Sequence, residues 1–126
     1  MTKLQNLIKN LTKANQRLEE ALKLKLTKIN RDASIQRFEF TFELSWKTFQ
    51  EYIRDQGYDC NSPKNCIREG AKIGIIDNPR DWFGFLDARN LVAHTYNEEL
   101  ADKIYKGIKK FPKEIDKFLE KIKEEK

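Results

Sequence analysis

The stretch Ile35-Gln36-Arg37-Phe38-Glu39-Phe40-Thr41-Phe42-Glu43-Leu44-Ser45-Trp46-Lys47-Thr48-Phe49-Gln50-Glu51-Tyr52-Ile53 decides the fold class. Ile35, Phe38, Phe42, Phe49 and Ile53 recur at helical intervals, with Trp46 beside them. That is the apolar stripe of an amphipathic α-helix, not the alternation of a strand. Asn30 or Asp32 is placed to cap this helix, and Gly57 to end it, since glycine accepts the left-handed conformation common after a helix.

The same grammar extends in both directions. Towards the N-terminus, Leu4, Leu7, Leu11, Leu18 and Leu22, with Ala14 and Ala21, predict a helix from Leu4 to about Leu26. Towards the C-terminus, Ser62-Pro63 is a helix start, a capping serine before proline at the first helical position, and opens a short helix ending near Gly74. Asn78-Pro79 repeats the signal for a helix through Trp82, Phe85, Leu86 and Leu91 towards His94. Thr95 and Glu98 have capping-box spacing, with Asn97 as the alternative cap, so the chain breaks and restarts there. Ile104, Ile108, Phe111, Ile115, Phe118 and Ile122 mark the last helix, which Pro112 should kink or split. The terminal Glu120-Lys121-Ile122-Lys123-Glu124-Glu125-Lys126 is expected to fray. The resulting expectation is one all-α domain over residues 1–126, an antiparallel bundle of about five helices with a four-helix up-down core plus a short helix.

Composition agrees. Of the 126 residues, 39% are hydrophobic and 36% charged, which excludes a low-hydrophobicity disordered chain, and 5 Gly with 3 Pro are too few for a turn-rich β sandwich. No apolar run approaches the ~20 residues needed to cross a bilayer, and Met1-Thr2-Lys3-Leu4-Gln5 leads into a charge-interrupted pattern, so a cytoplasmic location is expected. Cys60 and Cys66 form no Cys-x2-Cys pair, and with a single histidine they cannot complete an ordinary zinc site. They read as two free thiols in a reducing compartment. The net charge of +5 could attract phosphates, but cations and acids are interleaved along most of the chain.

Chemistry has one natural location, Arg89-Asn90-Leu91-Val92-Ala93-His94-Thr95-Tyr96. His94 is the only histidine, the side chain whose ordinary pKa suits proton transfer near neutrality. A lone histidine in a helical protein more often caps or packs, but its neighbours here are unusual. Asn90, four residues earlier, is placed to orient the ring, and Arg89 can hold a phosphate. On an ideal helix Arg89 and His94 point roughly 140° apart. A symmetric dimer apposing two such helices would bring them around one anion, and a homodimer is therefore predicted. Tyr96, taken alone, reads as a packing residue with its hydroxyl at the surface. Glu39 and Glu43 read first as a solvated pair, and Glu43 alternatively as a buried partner that holds Arg89. Trp82, Phe83 and Phe85 read mostly as core or dimer interface.

Arg89, His94 and Tyr96 spell Arg-x4-His-x-Tyr, which resembles the signature of the HEPN superfamily, and in particular its HepT-like branch of nucleotidyltransferase substrate-binding proteins. Phe38 to Lys47 resembles the family's second helix, Ser62 to Glu69 its third, and Asp87 to Glu99 the motif helix and following turn, so the likeness covers nearly the whole chain. It implies a homodimeric helical bundle whose Arg and His residues line a shared cleft. It further implies a metal-independent endoribonuclease of toxin–antitoxin type, or a non-catalytic subunit that presents substrate to a separate minimal-type nucleotidyltransferase. Carried over by position, Arg89, Asn90 and His94 would be catalytic, with RNA as substrate. Tyr96 would accept adenylate (AMPylation) from the partner, which uses ATP and Mg. The chain itself would need no intrinsic cofactor.

Overall fold

A computed structural model of the chain describes residues 1–124. Within them lie six α-helices and one 3-10 turn: α1 (Lys3–Lys23), α2 (Lys28–Asp55), α3 (Pro63–Lys72), α4 (Pro79–Leu91), the 3-10 turn Val92–His94, α5 (Glu98–Ile108) and α6 (Phe111–Glu124). No strand occurs among the described residues. Of the kink or split expected at Pro112, the split is what occurs, and the last helix is two. Pro112 has no N–H to give Ile108, so the helix breaks at Lys109-Lys110 and restarts, while Asn15 of α1 donates to the Pro112 carbonyl at 3.1 Å. The terminal run expected to fray is helical through Glu124, because Ile122 is buried and anchors it; Glu125 and Lys126 lie outside the described residues.

The helix starts follow the capping chemistry, with one correction. Thr2 and Gln5 form a reciprocal capping box on α1, and Ser62 caps α3 through the Asn65 N–H. The cap of α2 is Thr27, not Asn30 or Asp32. Its hydroxyl accepts from the Asn30 N–H at 3.1 Å, and the Asn30 side chain reaches back to the Lys25 carbonyl instead. Consequently α1 ends earlier than expected, at Lys23, to leave room for the turn. Gly57, at φ +90°, closes α2 as anticipated.

Helix α2 is the axis of the bundle and packs against α1, α3, α4 and α5. Its stripe meets the other helices in an aromatic core. Phe38, Phe42, Trp82 and Phe85 surround Phe111, with ring centroids 4.9–6.3 Å from it and mostly edge-to-face, the arrangement that ring quadrupoles favour. Trp82 and Phe85 are therefore core, and Phe83 is half-buried against it.

The two cysteines are not free. Cys60 and Cys66 form a disulfide, with Cα atoms 5.1 Å apart. Gly57 turns the chain back on α2, and Gln50 Nε2 holds the Cys60 carbonyl at 2.7 Å, so Cys60 meets the first turn of α3, where Cys66 is buried. That approach depends on the folded loop rather than on spacing, and it removes the free-thiol argument for a reducing compartment. No helix among the described residues is long and apolar enough to cross a membrane.

Candidate functional site

The motif occupies the end of α4 and the turn that follows. Here the α-helix tightens into the 3-10 turn Val92–His94, because Thr95 captures the Val92 carbonyl with both its hydroxyl (3.0 Å) and its N–H (3.3 Å). Asn97 then caps α5, its side chain accepting from the Leu100 N–H at 3.1 Å, while its own N–H donates to the His94 carbonyl at 3.1 Å. Of the two caps considered from sequence, Asn97 is the one used. The 3-10 tightening does not bring Arg89 and His94 onto one face. Ideal geometry still separates them by roughly 160°.

Two groups of side chains result. The first surrounds Arg89. Its Nε donates to Glu43 Oε1 of α2 at 2.6 Å, its Nη1 donates to Asn90 Oδ1 at 2.9 Å, and the guanidinium lies 5.7 Å from the Phe42 ring centroid. The other Glu43 oxygen accepts from the Trp46 indole at 3.0 Å. The ion pair considered from sequence is thus present, but half-buried, with side chains 27% and 34% exposed. Partial desolvation pushes the Glu43 carboxyl up. Hydrogen bonds from Arg89 and Trp46, with the Arg89 and Lys47 charges, outweigh it and hold the carboxyl below its ordinary range. Glu39, one turn earlier, is solvated.

The second group is His94 and Tyr96. Both are exposed, Tyr96 at 82%, and their rings meet edge-on at 6.0 Å. Tyr96 therefore does not pack in the core. Asn90 gives its side-chain oxygen to Arg89, so that atom serves the arginine and not the imidazole.

Among the described residues only Nε and one Nη1 hydrogen of Arg89 are used, which leaves both Nη2 hydrogens and one on Nη1 for a further acceptor. The site can thus offer a fixed cation with spare donors and, separately, an accessible imidazole and phenol. Among the described residues no cluster of three or more His, Cys, Asp or Glu is placed to hold a metal ion. An open groove of about 630 Å³ lies elsewhere, between α1 and α6, and is lined by Ile8, Leu119 and Ile122. Sequence reasoning overlooked the Trp46–Glu43 bond, although its i,i+3 spacing on one helix was a usable signal.

Comparison with known proteins places the fold in a family. Residues 5–124 match the family model described as nucleotidyltransferase substrate binding protein like. The chain is 30% identical over 96 residues to a probable ribonuclease HepT of Haemophilus influenzae, a match covering 72% of this chain and 66% of the relative, just under two thirds of its length. A crystal structure of a protein from Thermus thermophilus superposes with a TM-score of 0.84 at 36% identity, covering 88% of this chain and 97% of the other. A Haemophilus influenzae structure, reported to reveal the fold of a substrate binding domain of a nucleotidyltransferase, superposes with a TM-score of 0.78 at 26% identity, covering 92% and 98%. With the match running almost end to end, the chain belongs to the nucleotidyltransferase substrate binding protein like family.

Proposed function

We propose that the chain is the HEPN-type subunit of a two-component module, working with a separate minimal nucleotidyltransferase. In this reading its homodimer is a metal-independent endoribonuclease that adenylylation silences. One observation carries the reading: a guanidinium fixed by Glu43 with donors to spare lies in the same short motif as an imidazole and a phenol left in solvent. The similarity to a probable ribonuclease HepT supports it.

The chemistry suits these groups. RNA supplies its own nucleophile, so its cleavage does not require a metal. The 2′-oxygen attacks phosphorus as its proton passes to His94 of one protomer, while Arg89 of the other, brought across the dimer, stabilises the charge growing on the phosphorane. The bond from phosphorus to the 5′-oxygen then breaks, and that oxygen takes a proton from water or from the imidazole of the second protomer. The products are a 2′,3′-cyclic phosphate and a 5′-hydroxyl. In silencing, the Tyr96 phenol oxygen attacks the α-phosphorus of ATP, pyrophosphate leaves, and the phenolic proton passes to solvent. The attached adenylate is anionic and would compete with RNA for Arg89.

The test is an RNA-cleavage assay in chelator, using protein whose intact mass shows no adenylate. Wild type should cleave, and His94→Ala should lose about 10²-fold or more of the rate. If wild type leaves RNA intact while an active relative cuts it in parallel, the ribonuclease reading falls. The chain would then be a docking subunit that presents substrate to the nucleotidyltransferase. Incubation with that enzyme and ATP should add one adenylate mass, which Tyr96→Phe abolishes.

A further inference from the structure

Arg31 lies in the first turn of α2, about three helical turns before Glu43. Its side chain is only 4% exposed, yet it reaches three carboxylates. Nη1 donates to Glu98 Oε2 at 2.7 Å and to Asp102 Oδ1 at 3.0 Å, while Nε and Nη2 take Asp32 Oδ1 at 3.0 and 2.9 Å. Asp32 belongs to α2 itself. Glu98 and Asp102, however, stand on the first two turns of α5, directly after the motif turn.

A continuous run of bonds therefore leads from α2 to the motif histidine. Arg31 holds Glu98, Glu98 follows Asn97, and the Asn97 N–H donates to the His94 carbonyl. At the other end of the motif, Glu43 of the same helix holds Arg89. Between these fixed points residues 92–97 contain no fully buried side chain, and Val92, itself only partly buried, is the hydrophobic residue among them that packs against the core. The exposed His94 and Tyr96 beyond it are therefore placed mainly by what the two ends of the segment are tied to.

We infer that Arg31 is a positioning residue for the motif turn: by clamping the start of α5 to α2, it sets where His94 and Tyr96 stand relative to Arg89. The consequence for activity rests on the proposed ribonuclease reading, but the effect on His94 does not.

Because the chain has a single histidine, its imidazole resonances can be followed without ambiguity. Arg31→Met removes the clamp and keeps an apolar stem in the buried site. Exchange broadening should appear at the His94 imidazole on the microsecond-to-millisecond scale, with helicity by circular dichroism unchanged. Asp32→Asn breaks only the contact within α2 and should leave His94 as in wild type. Combining Arg31→Met with Glu98→Gln and Asp102→Asn relieves repulsion among the freed carboxylates but restores no clamp, so the broadening should persist. If it vanishes, Arg31 merely neutralises charge and the inference is overturned. Should Arg31→Met fail to fold, Glu98→Ala combined with Asp102→Ala, which removes both contacts of Arg31 with α5 through largely exposed side chains, must show the broadening instead. In the cleavage assay kcat for Arg31→Met should fall about tenfold or more, with KM for RNA little changed. Cleavage by wild type with an identical His94 lineshape in Arg31→Met would sink the positioning role alone. Broadening with no cleavage by wild type would leave it standing and remove the ribonuclease.

Discussion

The ion pair between Glu43 and Arg89 should show a measurable coupling that disappears in acid, and its size follows from its depth. Two unit charges about 4 Å apart attract by roughly 4 kcal/mol at an effective dielectric of ~20. Both side chains retain solvent, at 34% and 27% exposure, so screening and the cost of fixing them remove much of that gain. The pair lies between an exposed one, worth ~0–1 kcal/mol, and a fully buried one, whose breaking costs ~3–5 kcal/mol. A net coupling of about 1–2 kcal/mol is therefore expected, consistent with a charge-assisted hydrogen bond. The assay is a double-mutant cycle of Glu43→Gln and Arg89→Met by urea unfolding. The folded carboxyl titrates below its ordinary 4.5. Its stabilisation is thus fully present above that value and is lost as pH falls through the depressed one. The coupling should hold at neutral pH and fade in acid, as pH falls below the ordinary carboxylate range through the depressed value. A coupling under ~0.3 kcal/mol at neutral pH, within the scatter of independent sites, would refute the reasoning.

Two further outcomes concern the scaffold. Reducing the Cys60–Cys66 bridge, whose ends are 6 residues apart, should cost about 2 kcal/mol by loss of the constraint on the unfolded chain. Thermal unfolding with and without reductant should show a midpoint lower by several degrees, and coincident curves would contradict this. Gly70→Ala should destabilise by about 1 kcal/mol, because overpacking of ~1–3 kcal/mol outweighs a helix-propensity gain of ~0.5–1. The new Cβ would stand 2.7 Å from Ile76 Cδ1, so the cost measured by denaturant unfolding should shrink in an Ile76→Val background, which lacks that atom.

How much of this was readable in the sequence depended on the range of the signal. Ile35, Phe38, Phe42, Phe49 and Ile53 announce their burial through local periodicity, and each is in the core. Ser62-Pro63 and Asn97 announce helix starts because a cap and its first turn are chain neighbours. Thr27 was overlooked because Asn30 and Asp32 are equally good caps by residue type, and only the turn geometry selects among them. The disulfide was invisible because its six-residue spacing says nothing about a loop that Gly57 folds back. Arg31 gave no local sign of burial either. Its partners Glu98 and Asp102 lie 67 and 71 residues away, and only the packing of α2 on α5 brings them together. The Arg89–Glu43 pair, which spans 46 residues, was one of two sequence readings of Glu43, and only the packing of α4 on α2 selects it and leaves it half-buried rather than buried.

The two arginine clamps share a physical logic. On the proposed function, the groups assigned to cleavage and adenylylation must stay in water, because RNA and a second enzyme would have to reach them. A turn that must stay accessible can bury little apolar surface of its own, and in Val92–His94 only Val92 rests, partly buried, against the core. Elsewhere in the chain, position is set by interdigitated rings and branched side chains, which tolerate little displacement. At the motif, hydrogen-bonded charges anchored on the best-packed helix take over, Glu43 on one side and Arg31 on the other. Ion pairs suit that role because they are directional and can join a rigid helix to backbone that remains solvated, at little net cost in stability. The rigidity of α2 is thereby lent to a segment otherwise held by its own turn hydrogen bonds and the partly buried Val92. Loss of either clamp should therefore disturb the geometry of the motif well before it unfolds the bundle.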